Sequence, residues 1–282
     1  MRTKPLRLVA TVLLMLALVL VFAIASCSKQ AQLETAMDSR SQSVSNPILP
    51  ATAVPPTLTP LPSPTPLPSP TPSPTANPHA AELAWLLTQV EPDFKALEAI
   101  NPDLKAWIYN PAIDLNHPIV QAEDNYRYLD INFEGQPDQS GSVYFDYRVD
   151  PGFQGWHTII FGHNWDNGKI FSSLVKYMDQ SFYQEHPLYY LLTADKAFRV
   201  DIVAVSVVGA TDPTLLAAEF YNDAERQVLV DDINSRNLLQ GTPGVSMDDQ
   251  IVSLYTCTTN PQNDRAMVFG KLTYLGPLSS NP

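Results

Sequence analysis

The distribution of apolar and polar positions divides the chain into an apolar N-terminal run, a proline-rich segment and a region of short strand-like and helical patterns. The first run, Leu8 to Ala25, is almost wholly apolar and follows Arg2, Lys4 and Arg7. Basic residues before an apolar core are typical of a signal sequence and predict export through a membrane. The run is about long enough to span a bilayer as a helix, so an uncleaved signal anchor is one interpretation.

A lipoprotein signal is the other interpretation of this N-terminus. Ile24-Ala25-Ser26-Cys27 resembles a bacterial lipobox, and cleavage before Cys27 would leave a lipid on its thiol. We therefore predict residues 1–27 to be either a signal peptide with a lipobox or a signal anchor. Either form tethers the rest of the chain to the extracellular face of the bacterial cytoplasmic membrane.

The next segment is dominated by proline, with thirteen of the chain's 26 prolines between Pro47 and Pro78. Proline fixes φ and has no N–H to donate, so such a segment cannot form a helix or a central strand. We predict residues 28–78 to be an extended, disordered linker. Residues 79–282 remain as one globular domain, which is long enough to bury a core without disulfides or metals.

Within this domain the pattern predicts a mainly β fold. Apolar spacing predicts a helix over Ala80–Val90, a second short helix from Pro92 to Ile100, and a longer one over Asp223–Leu239. Short runs of β-branched and aromatic residues predict eight strands: Lys105–Tyr109, Pro118–Gln121, Ser142–Tyr147, Thr158–Gly162, Leu188–Leu192, Phe198–Val208, Gln250–Thr256 and Met267–Tyr274. This content favours an eight-stranded barrel with N-terminal helices and a long helix just before the strand that ends at Cys257.

Charge argues against one class of partner. Residues 1–78 hold five basic and two acidic groups out of totals of 17 and 29, which leaves the domain with a formal charge of −15. A surface this negative repels phosphate backbones, so we expect no binding to nucleic acid.

The candidate chemistry starts from Cys257, one of only two cysteines. Cys27 lies at the end of the apolar run, so we expect no disulfide between them. A lone cysteine after an apolar strand is more often a buried hydrophobe than a nucleophile. A strand end, however, gives a nucleophile both a rigid support and access to substrate.

A reactive thiol needs a basic partner, and His163 is the best candidate. It follows Ile159-Ile160-Phe161 at another strand end, and the preceding Gly162 allows a close neighbour. Arg265 begins the strand after Cys257, so a hairpin would bring its guanidinium opposite the thiol. A guanidinium in that position can stabilise an oxyanion.

Together these stretches resemble the sortase family, and within it class B, over about Phe94 to Leu275. The resemblance rests first on Thr256-Cys257 after an apolar strand, Gly162-His163-Asn164 upstream, and Arg265 at the start of the last strand. Further matching stretches, in order, are Ile100-Asn101-Pro102-Asp103, Ala106-Trp107-Ile108, Pro118-Ile119-Val120-Gln121, Asp124-Asn125-Tyr126-Arg127-Tyr128-Leu129, 141–148, 167–171, Tyr177 and 182–187.

The resemblance implies a cysteine transpeptidase. Cys257 would attack a carbonyl in the sorting signal of an exported protein, Arg265 would steady the oxyanion, and His163 would protonate the leaving amine. An amino nucleophile from a cell-wall precursor or a pilin would resolve the thioester, with no metal and no cofactor. Asn164, Tyr255 and Thr256 would bind substrate. Tyr255 departs from the small residue that many relatives carry there, and the lipobox and proline linker are also unusual.

Two other interpretations stay open at this point. One is an exported cysteine peptidase that uses water as acceptor, although papain-like enzymes place their cysteine on a helix and before the histidine. The other is a non-enzymatic binding module on a lipid-anchored stalk, with an inert buried thiol. A metal site is disfavoured because no ligand cluster has zinc-like spacing.

Overall fold

The computed structural model describes residues 77–165, 170–258 and 264–278. The predicted signal, Cys27 and residues 28–76 of the predicted linker lie outside these ranges. None of the helices in the described ranges has both the length and the apolar character needed to cross a membrane.

Eight strands close into a barrel, which confirms the predicted fold class. They are β1 (Leu104–Asn110), β2 (Leu115–Val120), β3 (Val143–Phe145), β4 (His157–Phe161), β5 (Leu188–Leu192), β6 (Lys196–Gly209), β7 (Ile251–Cys257) and β8 (Asp264–Pro277). Around the barrel the order is β1-β2-β3-β4-β7-β8-β6-β5, and β5 pairs with β1 to close it. The β2–β3 and β4–β7 pairs are parallel, and the others are antiparallel.

Four α-helices within the described ranges accompany the barrel: α1 (Ala80–Gln89), α2 (Phe94–Ile100), α3 (Gln180–Glu185) and α4 (Asp223–Ser235). The sequence pattern did not predict α3, whose first turn is capped by the Asp179 carboxylate. Helix α4 ends before the predicted Leu239 because the chain turns to bond β6. Leu238 N–H donates to Val205 O at 2.8 Å, and Asn237 Oδ1 accepts from Val205 N–H at 3.0 Å.

The core has two main layers, one on each side of the β7–β8 hairpin. Alternate residues such as Val252, Leu254 and Val268 face the barrel interior and are fully buried. The other face of β6, β7 and β8 packs against α4 through a second buried group. Because side chains alternate along a strand, each residue's position in β7 determines whether it lies inside the barrel or on its outer face.

The loop between β6 and α4, residues 210–222, is held by one side chain from the β3–β4 connection and one from β4. Arg148 Nη2 donates to Leu216 O at 3.1 Å, and His157 Nδ1 donates to Ala217 O at 2.7 Å. His157 Nε2 lies 2.6 Å from Ser253 Oγ. Burial lowers the pKa of His157 to about 4, which fits a neutral ring that donates from Nδ1 and accepts from the serine.

Candidate active site

Strand register places His163, Cys257 and Arg265 side by side on the outer face of the barrel. In the parallel β4–β7 pair Phe161 lies beside Tyr255, and Gly162 N–H continues the ladder to Tyr255 O at 3.2 Å. One pleat further along, His163, just beyond the end of β4, lies beside Cys257, the last residue of β7. In the antiparallel β7–β8 pair Cys257 lies opposite Arg265. Residues just after β4, at the end of β7 and near the start of β8 therefore form one row.

Gly162 admits the close neighbour that the sequence predicted. A β-carbon at this position would lie 2.7 Å from Cδ2 of Phe171, a contact that real structures do not tolerate. Phe171 is fully buried, and its N–H donates to His163 O at 2.9 Å. The absence of a side chain at Gly162 therefore lets a buried ring pack directly against the chain that carries the histidine.

The His163 ring is held between a carbonyl and the thiol. Its Nε2 lies 2.7 Å from Leu129 O, and its imidazole is hydrogen-bonded to Cys257. Because a carbonyl can only accept, Nε2 carries the proton, and Nδ1 is the nitrogen left to face the sulfur. Sequence reasoning missed Leu129, since a backbone carbonyl leaves no signal in a side-chain pattern.

His163 and Cys257 shift each other's pKa in opposite directions. The hydrogen bond with His163 lowers the pKa of the Cys257 thiol, partial burial opposes this, and the charge of Arg265 adds to the lowering. The same hydrogen bond raises the pKa of His163 against partial burial, with the Leu129 carbonyl also raising it. Both shifts favour a thiolate beside an imidazolium. Since Cys257 is only partly buried, it differs from the inert core thiol of the binding-module interpretation.

Aromatic side chains form a second row beside the first. Tyr255 packs edge-on against Phe161 with ring centroids 5.3 Å apart, and Phe161 contacts Tyr144, also at 5.3 Å. The Tyr255 hydroxyl donates to Ala210 O at 2.9 Å and is also hydrogen-bonded to Arg265. Tyr255 thus connects Arg265 to the start of the loop at residues 210–222.

The other two predicted substrate-binding residues differ in exposure. Asn164 is half-exposed and forms a backbone bridge with Ile170 just beyond His163. Thr256 is 1% exposed and faces the barrel interior, and its hydroxyl has no hydrogen-bond partner among the described residues. Thr256 is therefore not part of the exposed surface around Cys257. The substrate-binding roles of Asn164, Tyr255 and Thr256 stay predictions.

The chain is similar to members of the sortase family. The model of the sortase domain matches residues 108–273. Sortase B of Staphylococcus aureus is 28% identical over 168 residues, which are 60% of this chain and 68% of that protein. Sortase B of Listeria monocytogenes is 29% identical over 186 residues, 65% of this chain and 75% of that protein.

Solved structures give the same result. The complex of Staphylococcus aureus sortase B with substrate aligns with a TM-score of 0.62 at 25% identity, over 70% of this chain and 93% of that one. A Bacillus anthracis protein described as similar to sortase B aligns with a TM-score of 0.59 at 34% identity, over 64% and 82% of the two chains.

The pairing of His163 with the thiol predicts a pH dependence. Because the pKa of Cys257 is lowered, the rate of its alkylation by iodoacetamide should reach half of the maximum at a pH below about 8.5, the pKa of an ordinary cysteine. His163→Gln removes the largest cause of the lowering and should move this midpoint upward. Peptide mass spectrometry, which separates Cys257 from Cys27, measures the rate at each pH.

His186→Gln is the matched control, because this histidine lies at the end of α3 and should leave the midpoint unchanged. An equal midpoint in the wild type and His163→Gln would show that the histidine does not act on the thiol.

Proposed function

Since the chain belongs to the sortase family and is a class B sortase, a cysteine transpeptidase acting on sorting signals, we propose that Cys257 is its nucleophile. His163 is then the acid/base partner and Arg265 the group that stabilises the oxyanion. The observation that supports this most strongly is the single row that the three residues form on the barrel's outer face. The half-buried thiol is reachable from solvent, and its partners flank it on both sides.

The geometry suggests how the two half-reactions proceed. The Cys257 thiolate attacks a backbone carbonyl of the sorting signal, and the negative charge that develops on its oxygen faces the Arg265 guanidinium. Collapse breaks the C–N bond, and the His163 imidazolium gives its proton to the leaving amine, which leaves a thioester on sulfur. An acceptor amine then attacks the thioester, His163 takes a proton from it, and the new amide releases the thiolate.

The acceptor and the location are part of the same proposal. The acceptor is an amino nucleophile from a cell-wall precursor or a pilin. A sortase B has been solved in complex with triglycine, a ligand whose terminal amine belongs to this class. The domain acts at the extracellular face of the membrane, tethered by residues 1–27 and held away from it by the proline-rich segment.

Arg265→Lys tests the role of the guanidinium. A lysine keeps the charge but loses the planar set of donors, and loss of one well-placed oxyanion donor typically costs about 10²–10³ in rate. We expect turnover of a sorting-signal peptide to fall by that order. Alkylation of Cys257 by iodoacetamide should change much less, because that reaction builds no carbonyl oxyanion. Both rates are measured on the wild type and the variant.

Arg199→Lys provides the control, since Arg199 pairs with Glu82 and Asp201 on another part of the barrel. Turnover in this control should stay near the wild-type rate. If turnover and alkylation fall together in Arg265→Lys, Arg265 acts on the thiol and not on the oxyanion. If neither falls, its assigned role is wrong.

The anchor is tested by fractionation. The full chain should sediment with membranes, and a chain whose residues 1–27 are replaced by a cleavable signal without cysteine should be released. Labelled palmitate should tag the full chain but not Cys27→Ser if the lipobox is used, whereas a signal anchor leaves both untagged and membrane-bound. Release of the full chain into the medium would contradict a tether.

A further inference from the structure

The ring of His163 is oriented by a backbone carbonyl, and that carbonyl belongs to a short turn between β2 and β3. Leu129 O accepts from His163 Nε2 at 2.7 Å, and Leu129 is the last residue of the 3₁₀ turn Arg127–Leu129. The carbonyl determines which ring nitrogen carries the proton. Whatever fixes this turn therefore also fixes the tautomer that His163 presents to Cys257.

Tyr128, in the middle of the turn, is anchored at its far end. Its ring is 2% exposed and packs in a small apolar cluster with Val120 and Tyr144. Its hydroxyl donates to Asp103 Oδ2 at 2.7 Å and accepts from Asn101 Nδ2 at 3.0 Å. Both partners lie between α2 and β1, so the hydroxyl ties the turn to a different segment of the chain.

Asn101 binds residues on both of these segments of the chain. Besides Tyr128, its Nδ2 donates to Phe133 O at 2.9 Å, and its Oδ1 accepts from Asp103 N–H at 2.9 Å. Asn101 is 6% exposed, so these bonds are made out of water, where an unpaired polar group is costly. Asn101 therefore ties both the Tyr128 hydroxyl and the chain at Phe133, beyond the turn, to the segment that precedes β1.

The backbone of the turn packs directly against Gly141. This residue has φ of 59°, and a β-carbon on it would lie 2.5 Å from Tyr128 O and 2.6 Å from Leu129 O. The next residue, Ser142, donates its N–H to Tyr128 O at 3.0 Å. The carbonyls of Tyr128 and Leu129 thus lie directly over a glycine, with one of them bonded to the chain that enters β3.

We propose that Tyr128, with Asn101 and Asp103, is a positioning residue for His163. Its anchored hydroxyl holds the Leu129 carbonyl on Nε2, so that Nδ1 faces the Cys257 sulfur. The proposal rests on the acid/base role of His163 given above. The groups that act on the thiol's ionisation are His163 and Arg265, so the three residues act through the turn.

Loss of the anchor has a specific consequence for His163. The groups that act on its ionisation are Cys257 on β7, which contributes most, then the Leu129 carbonyl, and Arg265 on β8. Cys257 and the carbonyl raise the pKa of His163, whereas Arg265 lowers it. If the Leu129 carbonyl moves away from Nε2, one of the interactions that raise the pKa of His163 is lost. The imidazolium then loses its proton at a lower pH. The fraction of rings with Nδ1 toward the sulfur falls as well.

The test is Tyr128→Phe in the full-length protein, since it removes the hydroxyl and keeps the packed ring. We expect kcat for a sorting-signal peptide to fall about tenfold, less than the roughly 10²-fold that a 1 Å misplacement of a catalytic group can cost, with little change in KM. The descending limb of the pH–rate profile should move to lower pH. Nitrogen-15 NMR of histidine-labelled protein, recorded above the pH at which His163 becomes neutral, should show a ring protonated on Nε2 in the wild type and a mixture of the two tautomers in the variant.

Two further variants separate positioning from stability. Tyr177→Phe also removes a buried tyrosine hydroxyl, which donates to His186 O at 2.9 Å, and should leave both the profile and the tautomer unchanged. Asp103→Asn keeps an acceptor for Tyr128 and should behave like the wild type, whereas Asp103→Ala should behave like Tyr128→Phe.

An unchanged tautomer and an unchanged pH–rate profile in Tyr128→Phe would overturn the proposal, as would a neutral wild-type ring whose single proton is on Nδ1. The tautomer is read without substrate, so this failure is distinct from failure of the proposed function. Peptide turnover at the wild-type rate in His163→Gln would instead show that the proposed function is wrong.

Discussion

The parallel pairing of β4 with β7 is the constraint on which the site depends. These strands are 90 and more residues apart in the chain, yet their register fixes Phe161 beside Tyr255 and brings His163 beside Cys257 one pleat later. A shift of one residue would move every side chain to the other face and send the thiol into the barrel. The fully buried residues on the inner face, such as Leu254 and Ile160, make such a shift costly, so core packing specifies the geometry of the site.

The chemistry follows from where this register places charge. Cys257 lies between a histidine and an arginine, and the histidine's hydrogen bond is the largest influence on the thiol's ionisation. Arg265 is supplied by the neighbouring antiparallel strand, at the position directly opposite the thiol. Acid/base and electrostatic functions thus come from two different strands on either side of the nucleophile. Tyr255, hydrogen-bonded to Arg265 and to the loop at residues 210–222, ties that second partner to the same face.

Much of this arrangement could be predicted from the sequence. All eight strands lie where short runs of β-branched and aromatic residues predicted them, and the row of three was predicted because each member lies at a strand end. The end of α4 could not be predicted, since Leu238 and Asn237 leave the helix to bond β6, a tertiary contact that outweighs helical spacing. Likewise, only the strand register shows that the Thr256 side chain faces the barrel interior. Leu129 acts on His163 through its backbone carbonyl, which every residue type carries, so the sequence does not reveal its role.

The central claim is that Cys257 forms a thioester which an amine resolves, and intact-protein mass spectrometry tests it most directly. The protein is mixed with a sorting-signal peptide and quenched in acid at short times. We expect a mass increase equal to the N-terminal part of the peptide, located on Cys257, which disappears faster as the concentration of an added amine acceptor rises. Peptide turnover without any adduct on Cys257, or with an adduct whose decay ignores the amine, would contradict it.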